Sequence, residues 1–221
     1  MRGIEIQLQH GWGWDAGCWE AWRASAPPGV RLLVADRGYF GAPSSPVGQP
    51  QVLVAHSFGL HLLEPRWLEG AELVVVLGGF QAFHPEEEGA GRRSRRLVGR
   101  MCQRLVREPV ALLADFHARC FSPEAGQYVL PGGLAPQLLA ADLERLDKGV
   151  LDRRPLSAVP RVLLLHGDQD QIVSMAQVRQ LHQCLPKSRL EIIPGAGHAL
   201  PLTRAPECWA QIQEVWEGLS A

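Results

Sequence analysis

One stretch constrains this chain more than any other: Val52-Leu53-Val54-Ala55-His56-Ser57-Phe58-Gly59-Leu60-His61. Its first residues are apolar or small and read as a short buried strand. Gly59 and the apolar residues behind it open a helix, expected to run to about Trp67. Between them stands Ser57, with the small Ala55 two positions before it and Gly59 two positions after. A strand that turns at once into a helix brings those flanking positions together, so both must be small. The same turn lifts the serine hydroxyl clear of the sheet and aims the next backbone N–H groups into the same space. Ala55 stands where the usual G-x-S-x-G form has glycine, and small-x-Ser-x-Gly alone is a common accident. The strand before it, the helix after it and suitable partners downstream make it specific.

The rest of the chain supplies a frame for that turn. Ile4-Glu5-Ile6-Gln7-Leu8 alternates apolar and polar, as a half-buried strand does, and runs into His10-Gly11-Trp12-Gly13. A helix is expected near residues 18–23 and a second strand at Arg31-Leu32-Leu33-Val34-Ala35. Residues 41–50 are rich in Gly, Pro and Ser and read as loop. Glu72-Leu73-Val74-Val75-Val76-Leu77 is continuously apolar after its first residue, as in a strand buried on both faces of a parallel sheet. Strands alternating with helices predict an α/β architecture: a doubly wound, mostly parallel sheet of about six strands. From residue 80 to 159 strand signals vanish, and helical spacing and arginine dominate. The expected organisation is a core of residues 1–79 and 160–221 interrupted by a helical lid, 80–159. The strand rhythm resumes at Arg161-Val162-Leu163-Leu164-Leu165-His166, followed by Gly167-Asp168-Gln169-Asp170. A helix at 176–184, a strand at 190–193, Gly195-Ala196-Gly197-His198 and a helix at 206–219 complete the pattern.

Composition narrows the classes. The five cysteines are odd in number and scattered without a C-x-x-C, which argues against a disulfide framework or a zinc site. A reducing cytoplasm fits, and neither metal nor cofactor is expected. No apolar run reaches the ~18–20 residues of a membrane span, and strand-like sequence already begins at Ile4, so neither membrane insertion nor a signal segment is expected. The net charge of −1 gives no global attraction to nucleic acid.

A serine hydroxyl is a poor nucleophile until a base takes its proton, and the base needs an orienting acid. In a strand–turn–helix setting of this kind the chain order is serine, acid, histidine. Here it is Ser57, Asp170, His198. Asp168 is the alternative acid, but a residue further past the strand end is better able to reach back across the loop. Gly78-Gly79, after the other late strand, offers no carboxylate. His56 adjoins the serine and is expected to pack beside the turn, because adjacent side chains point apart. For the developing oxyanion, the backbone N–H of Phe58 is one donor and that of Trp12, in the loop after the first strand, is the second. The rings of Trp12 and Phe58 are candidate walls of an acyl pocket.

These residues resemble the α/β-hydrolase superfamily over nearly the whole chain. Within it, His10-Gly11-Trp12-Gly13, the long lid, and Gly133-Leu134, Asp142-Leu143 and Pro155-Leu156 look like the pimeloyl-ACP methyl ester esterases of biotin synthesis. The resemblance implies a Ser-Asp-His triad and a lid that grips acyl carrier protein. It also implies that Phe116, in Asp115-Phe116-His117-Ala118, touches the acyl chain. Relative to that pattern the usual first two strands are missing, and the loop 41–50 replaces a helix. The lid adds an observation of its own. Arg92, Arg96, Arg100 and Arg104 recur every four residues and form one stripe on a helix, beside Leu97, Met101 and Leu105. A basic stripe at a pocket mouth would attract an acidic partner such as the carrier. The plainer reading is a solvated arginine-rich face, partly neutralised by Glu86-Glu87-Glu88. No aromatic residues interleave with the arginines, so nucleic acid is not expected. The chain is expected to act as a monomer. A general short-chain carboxylesterase, a thioesterase or a C–C bond hydrolase with the same triad is the second enzyme reading. A non-catalytic binding module is the reading from another class, and it would not require Ser57, Asp170 and His198.

Overall fold

The structure is a computed structural model that describes residues 3–218. In chain order its elements begin with β1 (Ile4–Gln9), α1 (Glu20–Ser25), β2 (Val30–Ala35), β3 (Val52–His56), α2 (Pro65–Leu68) and β4 (Leu73–Leu77). Four helices follow: α3 (Glu88–Arg107), α4 (Pro109–Phe121), α5 (Pro136–Lys148) and α6 (Arg153–Ala158). The chain closes with β5 (Arg161–Gly167), α7 (Met175–Gln183), β6 (Ser188–Ile193), α8 (Leu200–Thr203) and α9 (Ala205–Glu217). All six strands are parallel, in the order β2-β1-β3-β4-β5-β6.

The central strands β3 and β4 are buried along their whole length, as their unbroken apolarity requires. Alternate residues feed opposite layers. Val52, Val54, Leu73, Val75, Leu163 and Leu165 face one side, where Trp14, Trp19, Trp22 and Trp209 pack with α1, α8 and α9. Leu53, Ala55, Val74, Val76, Val162 and Leu164 face the other, against Leu156, Val178 and Leu181 of α6 and α7. A third apolar cluster joins Trp12, Phe58 and Phe80 to Val98, Leu105, Leu113, Leu139 and Leu143 of α3, α4 and α5. Those helices therefore lie over the carboxyl ends of β1, β3 and β4, where α/β sheets hold their ligands.

One expectation is corrected. The segment after Ser57 is not a helix running to Trp67. It is a short 3₁₀ helix, Ser57–Leu62, then an extended break, then the four-residue α2. Pro65 is the cause: its ring excludes the helical region for the preceding residue, and Glu64 sits at φ −79°, ψ 139°. The tighter turn is pinned by its own side chain, because His61 Nε2 hydrogen-bonds the Phe80 carbonyl at 3.1 Å.

Candidate active site

The turn at Ser57 has the strain that its spacing implies. Ser57 has φ +55°, the only positive φ of a non-glycine residue among those described. A Cβ at Gly59 would lie 2.6 Å from the Gln9 carbonyl oxygen and 2.7 Å from that of His10, so only glycine fits. A Cβ at Gly11 would meet the His56 oxygen at 2.8 Å and Ser57 Cβ at 3.0 Å. The loop after β1 is thus pressed onto the serine turn, and Gly11 and Gly59 carry the steric requirement. Ala55 needs no glycine because its methyl is buried in the apolar layer with Leu53, Val74 and Val76.

Three predicted residues meet here. His198 Nε2 lies 2.9 Å from Ser57 Oγ, and His198 Nδ1 lies 2.6 Å from Asp170 Oδ2. The second Asp170 oxygen accepts from the backbone N–H groups of Ile172 (2.7 Å) and Val173 (2.9 Å). Burial alone would push the Asp170 carboxyl up. The His198 ring beside it and their hydrogen bond outweigh burial and hold it below the ordinary aspartate range. With Asp170 ionised, Nδ1 of His198 carries the proton and Nε2 faces the serine as acceptor. Asp168 does something else: its Oδ1 accepts from Gly195 N–H at 2.7 Å and ties two loops together. His56 lies beside the turn, its Nε2 donating to the His198 carbonyl at 3.0 Å. Its ring is neutral, because burial and then the nearby His198 lower it to about 3.

Glycines that sequence reasoning passed over hold this line. A Cβ on Gly78, which has φ +57°, would stand 3.0 Å from His198 Nδ1 and 3.4 Å from Asp170 Oδ2. The His198 and Ala199 N–H groups both donate to the Cys120 carbonyl at the end of α4, each at 2.9 Å. A Cβ on Gly197 would strike Ser122 O at 2.2 Å. The lid helix α4 therefore fixes the histidine loop through backbone contacts, which no side-chain pattern announces.

The predicted oxyanion donors, the N–H groups of Trp12 and Phe58, belong to the two segments that Gly11 brings together. Neither ring lines the cleft beneath the lid, and Phe58 borders a separate one with His61, Arg145 and Leu151. The Trp12 indole N–H is taken by the Leu139 carbonyl of α5 at 2.9 Å. The Phe58 ring faces His61 and Arg145. Phe116 does line the cleft, and its ring meets Trp12 edge-on at 5.1 Å. The cleft, about 700 Å³, has an apolar floor of Leu97, Met101, Leu112, Phe116 and Ile172 and reaches Asp170. This is the size of a small-molecule site. Ser57 itself is only 6% exposed and, like His198, does not line this cleft.

The arginines divide in a way the spacing did not foretell. The cleft is rimmed by Arg93, Arg104 and Arg119. Of the predicted stripe only Arg104 stands there, engaged with Glu108 and Asp115, both at ordinary ion-pair distance. Arg92 pairs with Glu88, whereas Arg96 and Arg100 are exposed and do not line the cleft. The reason is rotational: residues 93, 97, 101 and 104 share the side of α3 that borders the cleft, next to the buried Gly91, Val98 and Leu105.

A second Ser–His–Asp contact lies in the lid. His84 Nδ1 is 2.8 Å from Ser94 Oγ, and its Nε2 is 2.9 Å from Asp147 Oδ1. Ser94 is mid-helix, where the following N–H groups serve the helix itself, so nothing there would hold an oxyanion. The trio staples α3 to α5. Among the described residues, no cluster of His, Cys, Asp or Glu could hold a metal ion, and no helix is long and apolar enough to cross a membrane.

This sheet order, with a strained serine turn after β3 and helices inserted before β5, is the α/β-hydrolase fold. Solved structures with very different names share it. An esterase from Exiguobacterium antarcticum superposes with a TM-score of 0.80 at 17% identity, over 97% of this chain and 92% of that one. A bromoperoxidase from Bacillus anthracis gives 0.77 at 20% identity, over 98% and 92%. MenH from S. aureus gives 0.74 at 13% identity, over 100% and 96%. In sequence, no protein-family model and no curated protein matches the chain. The fold is shared, and the reaction has to be argued from the site.

Proposed function

We propose that this chain is a serine carboxylesterase working through an acyl-enzyme on Ser57. The observation that carries the reading is the hydrogen-bonded line Ser57–His198–Asp170, at 2.9 and 2.6 Å, on a strained turn. In it, His198 Nε2 takes the Ser57 proton as Oγ attacks the ester carbonyl. Asp170 holds the imidazolium that forms. The N–H groups of Trp12 and Phe58 receive the oxyanion. His198 then protonates the leaving alcohol, and water activated by the same nitrogen releases the acid.

The substrate we propose is the methyl ester of a carrier-borne acyl chain, pimeloyl-[acyl-carrier protein], which would place the enzyme in biotin synthesis. Two observations support it. The apolar cleft containing Phe116 suits an acyl chain. The exposed Arg96 and Arg100, with neighbours Arg95 and Arg107, form a basic surface for an acidic carrier such as acyl carrier protein. The chemistry is tested by a fluorophosphonate, which should label wild-type protein on Ser57 and leave Ser57→Ala unlabelled. Hydrolysis of p-nitrophenyl butyrate should vanish with the label, and activity persisting in Ser57→Ala would overturn the acyl-enzyme. The substrate is tested by growth without biotin of a strain lacking its own methyl ester esterase. Failure to rescue by well-expressed, active protein would remove the carrier ester and leave the esterase.

A further inference from the structure

We propose that the lid helix α5 is a working part of the oxyanion hole, with Asp142 as the positioning residue that holds it there. This rests on the esterase reading above. Asp142 is fully buried, yet it is a charged group in the lid and far from Ser57 in sequence. Its carboxylate accepts from Arg37 twice, Nε to Oδ2 at 2.6 Å and Nη2 to Oδ1 at 3.0 Å, the fork that favours a fixed geometry. Tyr39 O–H donates to Oδ2 at 2.9 Å, and Arg145 Nη1 to Oδ1 at 3.1 Å. Burial would raise this carboxyl, but the hydrogen bonds from Arg37 and Tyr39 outweigh it and keep it ionised. A buried ion network of this kind costs desolvation and is weak evidence for stability. Its contacts indicate what it positions.

Both oxyanion residues are touched from this one helix. The Leu139 carbonyl, one turn before Asp142, holds the Trp12 indole. Arg145, one turn after, lies over the Phe58 ring at 5.8 Å while bonded to Asp142. The third route is through the backbone. The Arg37 N–H donates to His10 Nε2 at 2.9 Å, which leaves the ring proton on Nδ1. That Nδ1–H donates to the Gly11 carbonyl at 2.9 Å. The Gly11 carbonyl and the Trp12 N–H belong to the same trans peptide and point in opposite directions. Fixing the carbonyl therefore aims the N–H. Asp142 thus sets the Gly11–Trp12 peptide through Arg37 and His10, the Trp12 ring through Leu139, and the Phe58 ring through Arg145. A lid that lifts would carry the hole out of register, so that the site is competent only when covered.

A positioning role predicts a loss in the transition state and not in ground-state binding. Removing one oxyanion donor outright costs roughly 10²–10³ in kcat. Misaiming one in Asp142→Asn should lower kcat on p-nitrophenyl butyrate about 10- to 100-fold, with KM within threefold. The Ki of a trifluoromethyl ketone, whose adduct with Ser57 places an oxyanion in the hole, should rise by the same factor. Leu146→Ala, a buried lid residue outside the network, is the comparison: it should lower Tm but leave kcat within twofold at 25 °C. If Asp142→Asn fails to fold, Tyr39→Phe removes one hydrogen bond from the same carboxylate, and its kcat should fall about two- to fivefold with KM unchanged. Equal kcat losses in Asp142→Asn and Leu146→Ala, or a loss confined to KM, would overturn the proposal. So would an unchanged kcat in Tyr39→Phe should that be the variant that folds. Wild-type protein that neither hydrolyses the ester nor reacts with the fluorophosphonate would sink the esterase reading, and this proposal with it. Active wild type with unaffected variants would sink this proposal alone.

Discussion

The sheet edge that carries Ser57 and the lid that covers it are built on different principles. At the sheet edge the controlling contacts are steric and backbone-mediated: Gly59 under the Gln9 and His10 carbonyls, Gly11 against the serine turn, Gly78 against the histidine–aspartate pair. In the lid they are polar and made by side chains: Arg37 to Asp142, His84 to Ser94 and Asp147, Arg104 to Glu108 and Asp115. The first kind tolerates almost no substitution but specifies geometry locally. The second can be redrawn residue by residue. A helical roof can therefore change its cleft and its outer face while the chemistry beneath keeps its form, which fits a fold shared by proteins under 21% identical.

The sharpest test of the sheet edge separates its two aspartates. Asp170→Asn should reduce ester turnover about 10⁴-fold, the scale expected when the base is left in the wrong tautomer. Asp168→Asn should cost less than fivefold, because it loses only a loop tie to Gly195. Steady-state kinetics on one small ester decides it, and the reverse ranking would make Asp168 the acid.

Acid should show whether roof and floor come apart together. Burial lowers His56 of the serine strand to about 3, and His61 and the lid residue His117 to about 4. In the unfolded chain each titrates near 6.5. The folded state excludes protons that the unfolded chain binds, so this stability is complete above about pH 6.5 and is lost as pH falls toward 4. The slope is about 1.4 kcal/mol per pH unit per histidine, and His166, which burial also lowers, adds to that of these three. Urea midpoints at pH 7.0 and 5.5 measure it. His117→Gln should flatten the dependence by about a quarter, and an unchanged slope would mean that the lid opens before the core unfolds.

Gly59→Ala should cost about 2–3 kcal/mol in denaturant unfolding, since its methyl would need backbone carbonyls to move. Gly99→Ala, on the outer side of α3 with nothing within 4 Å of an added methyl, should be stabilising by about 0.5–1 kcal/mol through helix propensity. Equal effects would erase the steric contrast between the two regions.

The same contrast explains what the sequence disclosed. Alternation, the buried run 73–77 and the order Ser57, Asp170, His198 are local or ordered signals, and the structure brings those residues together. The short 3₁₀ turn was legible too, in the Pro65 that follows Leu62-Leu63-Glu64, but the apolar run obscured it. Asp142 stood out only within a family resemblance, and its pairing with Arg37, 105 residues away, had no signal, because an aspartate on an amphipathic helix looks the same in solvent or buried. Nor could spacing say which side of α3 would face the cleft. A four-residue repeat fixes a stripe but not its rotation about the axis.

That rotation gives the lid its own test. Arg96 and Arg100 do not line the cleft and lack the carboxylate partners that engage Arg92 and Arg104. Arg96→Glu/Arg100→Glu should therefore leave p-nitrophenyl butyrate turnover within twofold, since no contact of Ser57, Trp12 or Phe116 is touched. With acyl carrier protein bearing the methyl ester, kcat/KM should fall about 10-fold, mainly through slower association of two oppositely charged surfaces. Salt should act in parallel. Exposed charges are screened over ~8 Å at physiological ionic strength, so added salt should slow the wild-type reaction on the carrier and spare the small ester. In the double variant the salt dependence should flatten or invert. If carrier turnover and its salt dependence were the same in variant and wild type, the outer face of α3 would be a solvated surface and the carrier would have to approach over Arg93, Arg104 and Arg119 at the cleft. A circular dichroism melt accompanies the kinetics, because two glutamates in place of arginines on an exposed face should move Tm by only a few degrees, and a larger shift would show that these arginines hold the lid together.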